Sequence, residues 1–316
     1  MSTAAEPSFV LCIERNAICT QALLLCESIR RFGGRHRDAA ILAVAPRPGL
    51  GIEGETLRRL DRMGVEYSEE PRNRICPEYG SANRVFAAAW AETRATSEWI
   101  VVLDSDTVFL DELELPAEAD VAVRPVDVKG SATAGPGDPF EDYWTRLAEL
   151  EGASLDDLPF IRTTVCNRRI RASYNGGLIA VRREIGVLAA WAHLFSRSVA
   201  AGLKPWRGSD LNVRASTGLV GREASEYWGS NQAAAALAIW SRTRRVVHFP
   251  DTYNLPLHLV SEHPELRARA RTPPIVHVHY HWLFADPHHE SALATLRDMG
   301  MAPDRLEWLT ARLPLR

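Results

Sequence analysis

Runs of apolar residues alternate with segments of helical periodicity along the first third of the chain. The apolar run 8–13 predicts a buried strand, and the amphipathic spacing of 17–32 predicts a helix that stops at Gly33 and Gly34. The same alternation predicts strands over 39–45, 65–67 and 99–103, and helices over 54–63 and 81–93. Strands that alternate with helices indicate an α/β fold with a mostly parallel, doubly wound central sheet.

The second half of the chain has longer irregular segments between its apolar runs. Its predicted elements are strands near 120–125, 173–182, 244–249 and 274–280, and a helix over 140–150. The glycine- and proline-rich stretches 130–139 and 203–221 predict loops. Because long irregular segments more often contact substrates than form core, we expect the second half to supply acceptor contacts.

The composition is that of an ordinary globular protein. The 316 residues are 46% hydrophobic and 24% charged, with a formal net charge of −3 and a pI near 6.4. A chain of this length can bury a substantial core. The near-neutral charge excludes the strongly basic field that draws a whole chain to nucleic acid or to an anionic membrane.

Cysteine usage and the N-terminal segment indicate a cytoplasmic protein. The five cysteines, at positions 12, 19, 26, 76 and 166, show neither a C-x-x-C pair nor zinc-type spacing, so we expect reduced packing residues. The first residues lack a basic region, and Glu14, Arg15 and Asn16 interrupt the apolar stretch that follows. We therefore expect neither a signal peptide nor an integral membrane segment.

Asp104-Ser105-Asp106 follows the apolar run 99–103 and is the most informative motif of the chain. Open α/β sheets bind ligands at the carboxyl ends of their strands, where this pair of carboxylates lies. Carboxylate oxygens bind divalent cations such as Mg²⁺ or Mn²⁺, which in turn bind phosphate. The motif thus suggests nucleotide or diphosphate chemistry, and a plain acidic turn with Asp104 as a cap is the alternative.

Together with three further landmarks, this motif resembles the GT-A class of nucleotide-sugar glycosyltransferases, nearest to the glycogenin and galactosyltransferase (family 8-like) type. The other landmarks are the polar end of the first strand, Asn175-Gly176-Gly177 in the run 173–182, and the histidine-rich segment 275–282. In those families Asp-x-Asp binds Mn²⁺ or Mg²⁺ on the donor diphosphate, an Asn-x-Gly strand follows, then a helix with an Asp-Gln pair and a late strand ending in a metal-binding histidine. The landmarks extend over roughly 8–285.

The resemblance implies a GT-A fold and a metal-dependent enzyme that moves a sugar from a nucleotide-diphosphate sugar to an acceptor hydroxyl. It implies a single domain over 1–316, with a nucleotide-sugar-binding half over about 8–125 and an acceptor-side half over about 126–316. The resemblance does not decide whether the acceptor is a glycan, a small molecule, a lipid or a protein. It is also compatible with a homodimer.

The metal ligands implied by the resemblance are Asp104 and Asp106, with Asp106 the more secure, joined by a late histidine. His277, His279 and His281 alternate along a predicted strand and so share one face. His279 is favoured because it lies at the strand end, His281 is second and His277 third. One imidazole beside two carboxylates suits Mn²⁺ better than Mg²⁺.

The donor contacts implied by the resemblance involve the nucleoside, the diphosphate and the sugar. Glu14, Arg15 and Asn16 are expected to meet the base and ribose. Arg84 is expected to pair with the diphosphate or with Asp104. The remaining donor-binding positions are Ser105, Gly176 and Gly177.

Catalytic positions are expected at Asp106, Asn175 and Gln232. Asn231 and Gln232 stand at the start of an alanine-rich helix, where related enzymes have an Asp-Gln pair. Here Asn231 takes the place of the aspartate, so the negative charge of that position is missing. An inverting mechanism would need Asp210 or Glu226 as a base, whereas in a retaining one the leaving phosphate takes the proton. The choice stays open, and the resemblance favours retention.

Two other functions are compatible with this kind of fold. A sugar-1-phosphate nucleotidyltransferase also binds Mg²⁺ through carboxylates, but it opens with a glycine-rich loop, and here no glycine precedes Gly33. A non-catalytic protein that binds a sugar nucleotide or a partner could keep the same scaffold.

Overall fold

The computed structural model describes residues 6–271 and 274–315. Within them the strands are β1 Ser8–Cys12, β2 Ala40–Val44, β3 Val65–Ser68, β4 Trp99–Leu103, β5 Thr107–Phe109, β6 Val121–Pro125, β7 Phe160–Arg162, β8 Arg169–Arg171, β9 Tyr174–Arg182, β10 Arg214–Ala215, β11 Gly218–Leu219, β12 Val246–His248, β13 Leu255–Pro256 and β14 His277–His279. The helices are α1 Ala17–Phe32, α2 Gly54–Arg62, α3 Asn83–Arg94, α4 Glu141–Glu151, α5 Val187–Ala200, α6 Arg222–Glu226, α7 Ser230–Arg242, α8 Leu257–Val260, α9 Pro264–Arg269, α10 His289–Asp298 and α11 Pro303–Thr310.

Seven strands form the central sheet in the order β12-β6-β9-β4-β1-β2-β3. Neighbouring strands are parallel except that β9 runs antiparallel to both β4 and β6. Every residue of β1, β4 and β6 is buried, as expected when helices cover both faces of a largely parallel sheet. This confirms the predicted α/β fold with a mostly parallel central sheet.

The alternating residues of each strand enter two cores, one on each face of the sheet. Val10 of β1 packs with the cluster built by α3, α5 and α7, whereas Phe9 and Leu11 pack with the cluster that includes α1. Both helical layers therefore fix the strand positions, and with them the strand ends where the Asp-x-Asp turn lies.

A second, three-stranded sheet has the order β13-β14-β5 and brings the late histidines to the Asp-x-Asp turn. β14 pairs antiparallel with β5, so that His279 lies opposite Thr107 and His277 opposite Phe109. The strand predicted over 274–280 is confirmed only for 277–279, and residues 272–273 beside it lie outside the described ranges. Because β5 directly follows Asp106, this register places His279 beside that carboxylate.

The predicted loops are present, with one addition. Residues 203–221 contain the short antiparallel hairpin of β10 and β11, and the segment 130–139 leads into α4 as expected. All five cysteines are free thiols. In the described parts of the chain, no helix is both long and apolar enough to cross a membrane.

Candidate active site

The Asp104-Ser105-Asp106 turn connects β4 to β5 and is held by its own side chains. Thr107 Oγ1 donates to the Asp104 carbonyl at 2.6 Å. Ser105 Oγ donates to the Cys12 carbonyl at 2.5 Å, which ties the turn to the end of β1. Ser105 is thus placed in the predicted site, but its hydroxyl is used to join two strand ends.

Asp106, His279 and His281 lie together at the carboxyl end of β4. Asp106 Oδ1 lies 3.2 Å from His279 Nε2, and Asp106 Oδ2 lies 3.4 Å from His281 Nδ1. The two imidazoles stack with ring centroids 3.9 Å apart. His281 follows the end of β14 in the left-handed region, with φ of 54°, and this turn returns its ring to the site.

The electrostatics of this cluster are those of a buried ion pair. Burial works against ionisation of Asp106, but the charges and hydrogen bonds of His279 and His281 together outweigh it and hold the Asp106 pKa well below its usual range. Burial likewise disfavours the charged form of His279, and the Asp106 carboxylate overcomes this to raise the His279 pKa. Burial and the charge of His279 lower the pKa of His281. A proton on His279 therefore occupies the place that a cation would take.

The donor set fits a divalent transition-metal ion. One ligand atom from each of Asp106, His279 and His281 lies within 4.8 Å of the others, and all three residues are buried or half-buried. The second ring nitrogen of His279, Nδ1, is buried and has no hydrogen-bond partner within the part of the chain that the structure describes. An arrangement of one carboxylate and two imidazoles suits Mn²⁺ and its neighbours better than Mg²⁺.

Asp104 is the second carboxylate of the motif, and Arg84 neutralises it. Arg84 Nη1 of α3 lies 2.5 Å from Asp104 Oδ2, while His279 Nε2 is 3.9 Å from the same oxygen. Burial tends to lower the Arg84 pKa, but the acidic groups around it, Asp104 first among them, together outweigh burial and raise it. A Cβ on Gly176 would collide with Arg84 Nη1, so this glycine leaves room for the guanidinium.

Asn175 is held by a network that sequence reasoning missed. Its Nδ2 donates to Asp127 Oδ2 at 2.8 Å, and its Oδ1 accepts from the Gly177 amide at 2.9 Å. Asp127 Oδ1 also accepts from Arg124 Nη1 at 2.8 Å and from Thr164 Oγ1 at 2.7 Å. Asp127 lies two residues after the end of β6, a signal similar to the one that identified Asp104, and that signal could have found it.

Glu14 lies fully buried at the end of β1, and its partner Arg47 was also missed. The Arg47 guanidinium pairs with both Glu14 oxygens, with Nε at 3.0 Å from each, and Asn83 Nδ2 donates to Oε1 at 3.2 Å. Arg15 is exposed and pairs with Glu53 at 3.2 Å. Asn16 is the N-cap of α1 and accepts from the Ile18 amide at 2.8 Å. The three predicted nucleoside contacts therefore have different surroundings.

Asn231 and Gln232 open α7 with different roles. Asn231 is buried, accepts from the Tyr79 hydroxyl at 3.0 Å and donates to the Ser81 carbonyl at 3.2 Å. Gln232 is half-buried and makes no side-chain hydrogen bond within residues 6–271 and 274–315. Gln232 is thus free to bind a ligand, whereas the Asn231 amide is occupied.

The two acids considered as bases are engaged at the surface. Lys204 Nζ lies 2.8 Å from Glu226 Oε2, and this hydrogen bond lowers the Glu226 pKa. Asp210 is 96% exposed and lies 3.5 Å from Arg222.

The structure separates His277 from the cluster and adds His258 to it. His277 is fully buried, with its ring centroid 4.5 Å from that of Phe109, and neither of its ring nitrogens has a hydrogen-bond partner in residues 6–271 and 274–315. His258, on the one-turn helix α8, lies edge-on to His281 with centroids 4.2 Å apart. No motif surrounds His258 in the sequence, so only the tertiary structure reveals its place.

The mostly parallel seven-stranded sheet flanked by helices is a GT-A, Rossmann-like fold. A family model described as the Rhodobacterales glycosyltransferase domain matches residues 9–203, and the chain belongs to this family. The match covers more than half of the chain and ends before His279 and His281. A comparison with curated proteins found no match.

Solved structures similar to this one include two described as glycosyltransferases. The apo structure of the bifunctional glycosyltransferase WbbM matches 99% of this chain at 14% identity with a TM-score of 0.52. This chain spans only 52% of the WbbM chain. The galactosyltransferase LgtC, solved with donor and acceptor sugar analogues, matches 97% of this chain and all of its own at 13% identity, with a TM-score of 0.49.

Proposed function

We propose that this glycosyltransferase is metal-dependent and moves a sugar from a nucleotide-diphosphate sugar to an acceptor hydroxyl with retention of configuration, as family 8-like enzymes do. The observation that carries the proposal is the convergence of Asp106, His279 and His281 at the carboxyl end of β4. These three residues would hold Mn²⁺, with Asp104 beside them. When bound, the cation supplies a Lewis acid that neutralises the charge of a leaving diphosphate.

Arg84 contributes a second positive charge to the donor site. It is buried against Asp104, and a guanidinium can exchange part of that ion pair for a phosphate oxygen. This exchange would release an Asp104 oxygen when the donor enters.

The donor sugar is expected to lie against Asn175, Asp127 and Gln232. Asn175 and Asp127 hold each other in place at 2.8 Å, so they offer oriented acceptors rather than mobile ones. Gln232 brings an amide with no internal partner. Hydroxyl groups of a sugar are suited to this mixture of acceptors and donors.

Retention is supported by the surroundings of the two acids. Lys204 pairs with Glu226 and lowers its pKa, which makes it a weaker base, and Asp210 lies exposed beside Arg222. In the retaining reaction the sugar C1–O bond to the diphosphate breaks and the acceptor oxygen bonds to C1 on the same face. The acceptor proton passes to an oxygen of the leaving phosphate, so no protein base is consumed.

A thermal-shift series with UDP-, GDP- and other sugar nucleotides, each with and without Mn²⁺, tests this proposal. We expect one nucleotide class to stabilise the protein only with Mn²⁺, by about 2.7 kcal/mol at 100 times its Kd. Asp106→Asn should abolish both the shift and sugar transfer, whereas Asp298→Asn, an exposed carboxylate on α10, should keep both. The anomeric configuration of the product, read by NMR, tests retention.

The same series gives clear contradicting results. Undiminished transfer by Asp106→Asn would refute the metal site. A product of inverted configuration would refute retention alone. No stabilisation by any sugar nucleotide would favour a non-catalytic protein that binds a partner on this scaffold.

A further inference from the structure

Asn254 is a fully buried residue beside the candidate metal site, and its side-chain amide has no hydrogen-bond partner among the described residues. Both Oδ1 and Nδ2 are buried and unpaired. Buried polar atoms without partners are rare, so each one needs an explanation. Asn254 also adopts the left-handed conformation, with φ of 46°, which costs free energy for a residue other than glycine and places its side chain at this point.

Asn254 and His279 meet at Gly177 of β9. A Cβ on Gly177 would collide with Asn254 Oδ1 and would lie 2.7 Å from His279 Nδ1. The two atoms therefore face the same small space left by the missing side chain. His279 Nδ1 is likewise buried and unpaired, so an unpaired acceptor and an unpaired ring nitrogen lie next to each other.

The backbone of Asn254 is fixed from the central sheet. Arg124 of β6 donates from Nη1 to the Asn254 carbonyl at 3.0 Å. Arg124 is itself held by Asp127 at 2.8 Å and by Asp251 at 3.1 Å. The backbone of Asn254 is thus held by a buried arginine whose two terminal nitrogens are both paired.

We infer that Asn254 is the positioning residue of the metal site: with Mn²⁺ on Nε2 of His279, the Nδ1–H of that ring would be donated to Asn254 Oδ1, the unpaired acceptor beside it, and this bond would fix the ring orientation. The inference rests on the proposed function. Metal-binding histidines donate their other ring N–H to a fixed acceptor, which sets the tautomer and ring orientation. His279 Nε2 already lies 3.2 Å from Asp106, so the ligand nitrogen and the acceptor lie on opposite sides of one ring.

The test is the Mn²⁺ affinity of the full-length protein, measured by isothermal titration calorimetry. Asn254→Gly removes the amide and suits the left-handed backbone, and it should weaken Mn²⁺ binding roughly 10- to 100-fold. Asn254→Asp keeps an acceptor oxygen and tolerates the same conformation, so it should bind Mn²⁺ at least as tightly as the wild type. Asn167→Gly is the matched control, because Asn167 is an exposed asparagine with φ of 50° in the turn between β7 and β8.

Unchanged Mn²⁺ affinity of folded Asn254→Gly would overturn the inference. If Asn254→Gly does not fold, Asn254→Asp provides the test. An Mn²⁺ affinity of Asn254→Asp more than roughly tenfold below that of the wild type would overturn the inference. Wild-type protein that binds no Mn²⁺ would contradict the proposed metal dependence and this inference together. Wild-type binding that Asn254→Gly leaves intact would contradict the inference alone.

Discussion

His277 and His279 lie two residues apart on β14, yet their surroundings give them opposite acid–base behaviour. His279 faces Asp106, and this carboxylate raises its pKa against the effect of burial. His277 lies against Phe109 with no hydrogen-bond partner, and burial lowers its pKa to about 3, with His279 adding to the effect. The alternation of a strand predicts a shared face for these residues, but not which of them meets a carboxylate.

Replacing His277 by leucine should reduce the acid sensitivity of the fold. The unfolded chain binds a proton on His277 below its ordinary pKa of about 6.5, whereas the folded chain binds it only near 3. Between these values the unfolded state holds more protons, so stability falls as pH falls. From about pH 7 to about pH 5 the wild type should lose about 2 kcal/mol more than His277→Leu, measured by urea unfolding.

The matched control for this measurement is His193→Leu. His193 is exposed on α5, so its replacement should leave the wild-type pH dependence in place. Parallel stability curves for the wild type and His277→Leu would contradict the assignment of His277 to the core.

Asn231 and Gln232 provide a second contrast between adjacent residues. Asn231→Asp would lose the donor to the Ser81 carbonyl and bury a carboxylate there, so stability should fall by roughly 1–3 kcal/mol with no gain in transfer rate. Gln232→Ala removes an amide that has no partner among the residues the structure describes, and it should lower kcat/KM while leaving Tm unchanged. Thermal unfolding and steady-state kinetics of both variants check this. A higher rate of sugar transfer by Asn231→Asp would show that the site needs a negative charge at position 231, where related enzymes have an aspartate.

Elements differ in how much of them the sequence could predict. Local patterns of apolar residues predicted five elements to within a residue or two, namely β1, β4, β6, β9 and α1. The pairing of β14 with β5 joins segments far apart in the chain, and no local pattern encodes that register. The site depends on this pairing, so the sequence indicates its residue types but not its geometry.

The residues near the site that were not predicted from the sequence lie in turns and on one short helix. Arg47 and Asp127 follow strands, Asn254 precedes β13, and His258 lies on the four-residue helix α8. Their side chains acquire a role only when neighbouring elements bring a partner, as Glu14 does for Arg47. Local propensity carries no information about such partners.

Gly177 of β9 lies close to His279 of β14, so we expect this position to be sensitive to the addition of a side chain. A Cβ there would strike the buried Asn254 and His279 side chains, so Gly177→Ala should cost roughly 1–3 kcal/mol of stability and weaken Mn²⁺ binding by roughly tenfold or more. Gly221→Ala is the control, because Gly221 has φ of −58° and no atom within 4 Å of the added carbon. Wild-type Mn²⁺ affinity in Gly177→Ala would show that the site is looser than the structure indicates.

At the scale of the whole molecule, the central sheet takes strands from both expected halves of the chain. β9 and β12 come from the second half, and β6 of the first half lies between them in the sheet. The family match ends at residue 203, whereas β12, α7 and the metal-site histidines follow it. The matched region therefore lacks both an edge strand and part of the site.

A fragment of residues 6–203 should fail to fold into a stable monomer. Without α7, the apolar face of α5 that packs against it would be exposed, as would the sheet surface that the alanine-rich helix covers. Removal of β14 would also leave β5 unpaired beside the Asp-x-Asp turn. Exposed apolar area and unpaired strand edges drive association, so size-exclusion chromatography should show aggregate, and calorimetry should detect no Mn²⁺ binding. A monomeric fragment with the Mn²⁺ affinity of the full chain would mean that the late histidines contribute nothing to the metal site.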